Sequence, residues 1–322
     1  MPPPDAIDPP FNVLFFNTHL FGDSLAIANA FRKLTGQEPI RYKDPERAAL
    51  LAERLNQLGN TPPALDFVAL CEVWDDEYSD RIYDKIKGTY PHQYRPTRII
   101  QAGNDVGSGL VLFSRHPFDY QDFAAYAAES GLAESRSQKG LACVVIQPKE
   151  ECPVLVMATH LQSGTGKGDQ KARRGQLKQM QQIARAMQRD FPAVPHVIGG
   201  DFNIIGEDVH GQPTAEYQPL PGALGMRDTF RVVHPNASQA LGFTSDATNK
   251  LVVFFDRQNL DLQRLDYIFC DPKPAVRVIG CDIEEFKVDP PLNGDGSDTG
   301  YLINHLSDHF GLRAQFEILP LA

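Results

Sequence analysis

Pro195-His-Val-Ile-Gly-Gly-Asp-Phe-Asn203 runs a short apolar strand into two glycines, then presents a carboxylate and an amide two residues apart. Neither Gly199 nor Gly200 carries a Cβ, so the strand can bring its backbone close to whatever it faces. Side chains alternate between the faces of an extended chain, so Asp201 and Asn203 project to one side and meet one target at the strand's end. Alone, the run reads equally well as a strand followed by an ordinary Asp/Asn turn. What distinguishes the two readings is what the other strands carry at their ends.

Working outward, Phe11-Asn-Val-Leu-Phe-Phe-Asn17 ends on Asn17, and Asp66-Phe-Val-Ala-Leu-Cys-Glu72 ends on Glu72. Val154-Leu-Val-Met-Ala-Thr-His160 delivers His160, Leu265-Asp-Tyr-Ile-Phe-Cys270 carries Asp266, and Leu306-Ser-Asp308-His309 leads into a last strand from Gly311 to Leu319. Further strands read over Val106–Ser114 and Leu141–Ile146, separated by an Ala-rich connection. A helix reads from Asp44 as N-cap and Pro45 as N1, through Ala48, Leu51, Leu55 and Leu58, to Gly59-Asn60; a second runs from about Glu77 to Lys87. After the polar loop Ser163–Asp169, a third has Leu177, Met180, Ala184 and Met187 on one face. Its other face carries Lys171, Arg173, Arg174, Lys178, Arg185 and Arg189, read as a solvated face. Strands in blocks with helices between them, without strict alternation, imply an α/β (α+β) layered sandwich rather than a doubly wound sheet.

The chain has 322 residues, 42% hydrophobic, and no apolar run long enough to span a bilayer, which implies a globular protein with a sizeable core. No linker divides it, so a single catalytic domain over residues 11–322 is expected behind a Pro-rich tail, 1–10. A net charge of −10, from 31 basic and 41 acidic residues, argues against the nucleic-acid backbone as main partner and suits a divalent cation. The five cysteines include an odd one and no C-x-x-C pair, and Cys71, Cys143 and Cys270 read as small buried hydrophobes. The start, Met-Pro-Pro-Pro-Asp, has neither a basic nor an apolar signal region, so a cytoplasmic chain, or one exported without a visible signal peptide, is expected.

Singly, each polar strand end is a turn former, a cap or a satisfied histidine; together they describe one rim. Glu72, Asn17 and Asp308 offer hard oxygen donors suited to Mg²⁺ or Mn²⁺. A histidine backed by a carboxylate can take a proton from water at neutral pH. There is no G-x-S-x-G elbow, no P-loop and no zinc cage of paired histidines or cysteines.

With its ordered motifs, Asn17, Glu72, Gly200-Asp201-Phe202-Asn203, Leu265-Asp266-Tyr267 and Ser307-Asp308-His309, the chain resembles the endonuclease/exonuclease/phosphatase superfamily from about residue 11 to 318. Within it, the chain looks most like the neutral sphingomyelinases. That likeness is carried by Glu72-Val-Trp with Ser79-Asp80-Arg81, Ser137-Gln-Lys139-Gly140, Thr159-His160-Leu161-Gln162 with Arg174 and Gln176-Leu177, and Thr244-Ser-Asp246-Ala-Thr-Asn249. The resemblance implies a deoxyribonuclease-like four-layer α/β/β/α sandwich and a Mg²⁺-dependent phosphodiesterase of phospholipase C type, with Mn²⁺ or Co²⁺ as substitutes. Its substrate would be sphingomyelin or a related phospholipid, met at a membrane surface and cleaved to ceramide (or diglyceride) and phosphocholine. Carried over residue by residue, Glu72 is the principal metal ligand with Asn17 and Asp308 beside it. His309 is the base held by Asp266, His160 stabilises developing charge, Asp201 and Asn203 position nucleophile and phosphate, and Lys139 contacts the phosphate. A nuclease or a phosphoinositide phosphatase on the same site, and a non-catalytic binding protein, are the alternative readings. Secreted bacterial sphingomyelinases carry an aromatic-tipped hairpin before Ser-Asp-His. Here Pro290–Asn304 is rich in Gly and Asp, with Tyr301-Leu302-Ile303 as its apolar patch.

Overall fold

The computed structural model describes residues 10–22, 34, 43–96, 107–127, 137–236, 238, 242–255, 262–273, 275–294 and 302–320. Most of the Pro-rich tail and the span 295–301, with Tyr301, lie outside them. Sheet one takes the order β11(Val276–Glu284), β12(Gly311–Ile318), β1(Phe11–Leu20), β2(Phe67–Val73), β4(Val111–Ser114), β3(His92–Tyr94). Sheet two takes the order β5(Phe118–Ala125), β6(Gly140–Lys149), β7(Cys152–His160), β8(His196–Asp201), β10(Asp266–Cys270), β9(Arg227–Asp228). The helices are α1(Asp44–Asn60), α2(Asp76–Ile86), α3(Lys167–Asp190) and the short α4(Leu220–Leu224), α5(Thr229–Val233) and α6(Lys250–Phe255).

The layering follows from strands that are apolar on both faces, as strands covered on both sides must be. In β1, Val13 and Phe15 enter the inter-sheet core, while Leu14 and Phe16 face the other way, onto Leu51 and Leu55 of α1 and Ile82 and Ile86 of α2. In β7, Val154, Val156 and Ala158 point into the same core, and Leu155 and Met157 meet Met180 and Met187 of α3. This period of two, repeated from strand to strand, stacks helix, sheet, sheet and helix into the four-layer α/β/β/α sandwich. Each fully buried large side chain contributes about 1.5–3 kcal/mol, so the three clusters hold the sheets in register. All five cysteines are buried, and Cys71, Cys143 and Cys270 pack within the hydrophobic clusters as small hydrophobes. Among the described residues, no helix is long and apolar enough to cross a membrane.

Several elements differ from the sequence reading. Asp44 is inside α1, whose N-cap is Lys43; the Asp44 carboxylate instead accepts from the backbone of Phe21 and Gly22 and pairs with Arg47. Residues 118–125, read as connection, form the edge strand β5, and β11 was not foreseen, because edge strands expose polar residues and lose the apolar signature. Arg173, assigned to the solvated face of α3, is buried. It donates to the carbonyls of Gln162 and Gly164 and forms a two-pronged pair with Glu216.

Candidate active site

Topology explains why strand ends and strand starts converge. β1 and β2 are parallel, as are β7 and β8, so their C-terminal ends lie on one rim of the sandwich. β10 and β12 run antiparallel to β8 and β1, so Asp266, which opens β10, and the Ser307-Asp308-His309 turn before β12 reach that same rim. Asp201 is in register with His160 on one side and Asp266 on the other. The glycines before it permit the approach. A Cβ on Gly199 would sit 2.7 Å from the Phe15 ring across the core, and one on Gly200, whose φ is +134°, would sit 1.9 Å from the Thr159 carbonyl oxygen.

The structure brings all nine sequence-predicted site residues to this rim. Asn17 bridges the sheets, its amide nitrogen donating to Glu72 Oε1 at 2.9 Å and to Asp201 Oδ2 at 3.0 Å. Its oxygen accepts from the backbone nitrogen of His19. His160 Nε2 stands 3.6 Å from Glu72 Oε1 and 3.7 Å from Asp201 Oδ2. His309 Nδ1 pairs with Asp266 Oδ2 at 2.7 Å, leaving Nε2 to face Asp201 Oδ2 at 3.9 Å. Asn203, in left-handed backbone, donates from its main chain to Asp201 Oδ1 at 2.7 Å, and its amide donates to the Leu161 carbonyl. Lys139, almost wholly buried, places Nζ 2.8 Å from the Leu161 carbonyl oxygen and 3.3 Å from His160 Nε2. Asp308 accepts from Ser307 Oγ and lies 3.5 Å from His19.

These neighbours set the protonation states. Burial pushes Glu72 upward, but hydrogen bonding from His19, the electrostatic influence of the neighbouring imidazoles and the Asn17 amide outweigh it and hold the carboxyl well below its ordinary range. Asp201 is pushed up to about 7 by burial and by Asp266, against the opposing pull of His309 and Asn17. Burial works against a charged His309, yet Asp266 and Asp201 raise it well above the ordinary imidazole value. His160 goes the other way: burial and the Lys139 ammonium keep it neutral. One proton can therefore be held between His309 and Asp201 while Glu72 stays ionised for a cation. The donors fit a hard dication, with Glu72, His160 and Asp201 in one group whose ligand atoms all lie within 4.8 Å, and Asp201, Asp266 and His309 in a second.

Two supports escape the sequence reading, and a third is read there only as part of a likeness. His19 stands against both Glu72 and Asp308; its signal was the Asn17-Thr-His19-Leu run, which parallels Thr159-His160-Leu161. Arg47, fully buried, donates to the carbonyls of Thr18, His19 and Leu306 and so ties the end of β1 to the turn carrying Asp308. Thr244 Oγ1 accepts from the backbone nitrogens of Leu265 and Asp266, the Thr244 carbonyl accepts from Phe310, and the Asn249 amide donates to the Ser307 carbonyl. The 244–249 segment thus clamps both partners of the His309–Asp266 pair.

A profile described as the Endonuclease/Exonuclease/phosphatase family matches residues 11–309. A protein named Phospholipase C from Staphylococcus aureus is 25% identical over 271 residues, 77% of this chain and 75% of its own. A Sphingomyelinase C from Bacillus cereus is 26% identical over 275 residues, 77% of each chain. A variant beta toxin from Staphylococcus aureus, solved with bound magnesium ions, superposes with a TM-score of 0.70 over 95% of this chain and 99% of its own, at 21% identity.

Proposed function

We propose, since the chain belongs to the endonuclease/exonuclease/phosphatase family, that it is a Mg²⁺-dependent phosphodiesterase of phospholipase C type, acting on sphingomyelin or a related phospholipid and releasing phosphocholine. The observation that carries this reading is the meeting of Lys139 and His160 at 3.3 Å beside the Glu72–Asp201 rim. Those two residues come from the Ser137–Gly140 and Thr159–Gln162 runs, the ones on which the likeness to sphingomyelinases rests. The curated relatives named Phospholipase C and Sphingomyelinase C support the same substrate class.

Residues 11–322 act as one catalytic domain, a reading supported by a rim to which both sheets contribute. Glu72 would be the principal ligand of the ion, with Asn17 and Asp308 beside it, and Mn²⁺ or Co²⁺ would substitute for Mg²⁺. When bound, the ion polarises the phosphoryl oxygens and offsets their charge. With the shared proton resting on Asp201, His309 takes the proton of the attacking water at Nε2, because its Nδ1 hydrogen is committed to Asp266, which fixes the tautomer and stabilises the imidazolium. Asp201 and Asn203 orient the water and the phosphate. His160, neutral and backed by the Lys139 ammonium, supports the charge that develops on the phosphate and the leaving oxygen, so most of the acceleration is preorganised electrostatics. Trp74, half-buried over Gly109 with its ring centre 5.9 Å from that of His160, offers an aromatic surface that suits a quaternary ammonium. The lipid is met at a membrane surface by a chain whose charge disfavours nucleic acid.

The test is a panel of sphingomyelin, plasmid DNA and phosphoinositides, each with Mg²⁺ and with chelator. Phosphocholine release from sphingomyelin that chelator abolishes is expected. Cleavage of DNA or inositol phosphates without phosphocholine release would replace the substrate assignment, and turnover of nothing in the panel would leave a binding protein.

A further inference from the structure

The long helix α3 carries its charge differently from α1 and α2. Lys167, Lys171, Arg174, Lys178, Arg185 and Arg189 are all exposed. At about 100° per residue they fall within an arc of about 60°, opposite the face that buries Ala172, Gln176, Met180 and Met187. With a rise of about 1.5 Å per residue, the row is about 33 Å long. The helix's acids, Asp169 and Asp190, lie off that arc, and the Asp169 carboxylate accepts from the Gly166 backbone. Among the described residues, none of the six cations pairs with a carboxylate. Cations on the other helices do pair: Arg81 with Glu77 and Lys87 with Asp84 on α2, and Arg54 of α1 with Glu284.

Like charges three or four residues apart on a helix repel, so this row destabilises the free helix, and a chain of net charge −10 does not need it for solubility. Counter-charge from outside offsets the repulsion. We infer that this ridge of α3 is a docking surface for an anionic lipid leaflet, whose headgroup phosphates meet the six cations. The row is straight, so its cations can approach one plane together. Gln181 and Gln182 fill the gap between Lys178 and Arg185, and no large apolar side chain stands in the arc. Contact therefore stays at the headgroups and is electrostatic, without insertion. Charges farther than a Debye length of about 10 Å are screened, so the leaflet senses the ridge rather than the net charge of the chain. The ridge also starts beside the site, since α3 opens at Lys167 after the short loop that follows His160 at the rim. The choice of a leaflet over another polyanion rests on the lipid reading above.

Vesicle co-sedimentation in the presence of chelator, read without substrate, tests this. The full chain is mixed with phosphatidylcholine vesicles and with vesicles containing about one third phosphatidylglycerol, at ~0.05 M and ~0.5 M salt. The wild type is expected to bind the anionic vesicles at least about tenfold more tightly than the neutral ones at low salt, and to lose that preference at high salt. A variant carrying Lys171→Gln, Arg174→Gln, Lys178→Gln and Arg185→Gln should lose at least about tenfold in affinity for the anionic vesicles. A second variant makes the same change of charge off the ridge, at the exposed Lys85, Lys87, Arg277 and Lys287, each to Gln, and should lose no more than about threefold. Equal losses in the two variants would mean that net charge is sensed and not the ridge. No anionic preference in the wild type, a readout that needs no variant, would remove the docking surface. Tighter binding of duplex DNA than of anionic vesicles at low salt would assign the ridge to a polynucleotide. Each of these overturns the inference. Hydrolysis of sphingomyelin with Mg²⁺ is read separately: its failure with vesicle binding intact faults the substrate assignment, and the reverse faults the ridge alone.

Discussion

The two sheets meet at one rim but furnish it with opposite electrostatics. On the sheet-one side, Glu72 is surrounded by donors, His19, His160 and Asn17, and stays ionised well below the ordinary carboxylate range. On the sheet-two side, Asp201 lies in register beside Asp266, and burial with that second acid pushes it up to about 7. Two carboxylates bound to the same Asn17 amide thus have different uses. The first can hold a cation, the second can share a proton with His309. Residue type alone does not assign these roles; the neighbours that each strand end meets do so.

The sharpest way to break that division is to remove one side at a time. Glu72→Gln should lose Mg²⁺ binding and, with it, activity by about 10⁴-fold, the several kcal/mol that a metal supplies to a phosphoryl transition state. His309→Ala should lose about 10³-fold in kcat, within the usual range for a general base, while Mg²⁺ affinity measured by calorimetry stays within about threefold of wild type. If both variants lose the metal, or both keep it, the two sides are not functionally separate. Asp266→Asn should follow His309→Ala at about 10²-fold in kcat with little change in KM, because it leaves the imidazole in place without its orienting partner. Asn17→Ala sharpens the comparison further. With the bridging amide gone, a loss of about 10–100-fold is expected in metal affinity or turnover, typical of an outer hydrogen-bond partner. Wild-type values in both would show that the carboxylates need no spacer.

The sandwich and the rim were legible for one physical reason: strands buried on both faces read as unbroken apolar runs, and a polar residue ending such a run is conspicuous. Asn17, Glu72, His160 and Asp201 were found that way. Asp266 and the Asp308-His309 turn belong to the same rim only because β10 and β12 run antiparallel to their neighbours, a fact of pairing that the order of residues does not contain. His19 was passed over because its aim depends on a register irregularity and a left-handed backbone, neither of which has a composition signature. Arg47 and Arg173 carry the same side chain as any exposed helix cation, and only the carbonyls and carboxylate waiting beneath them draw them inside. Thr244 and Asn249 act through backbone groups of distant turns, so their sequence run marked a likeness and not a task.

The smallest expected effect extends the contrast to the far end of β8, where His196 is as buried as His309 but lacks a carboxylate pair to keep it charged. Burial lowers its pKa to about 4; Asp271 pulls upward without overcoming it, and Lys273 adds to the lowering. A histidine depressed from an unfolded value of about 6.5 favours the fold only while neutral. Its contribution is therefore fully present above about pH 6.5 and is lost as pH falls from there through about 4. The loss has a limit of about 3 kcal/mol, since each pH unit between the unfolded and folded values is worth about 1.36 kcal/mol. His196→Gln cannot take up a proton, so its unfolding free energy should fall less steeply over that window than that of the wild type. Denaturant melts at steps between about pH 7.5 and 3, a range that brackets both values, measure the difference. Parallel slopes would mean that Asp271 offsets the burial of His196 and leaves it unshifted; a wild type that falls less steeply than the variant would mean that Asp271 keeps His196 charged in the fold, and the rule that a buried histidine follows its acidic neighbours would then apply at both ends of the strand with the same sign.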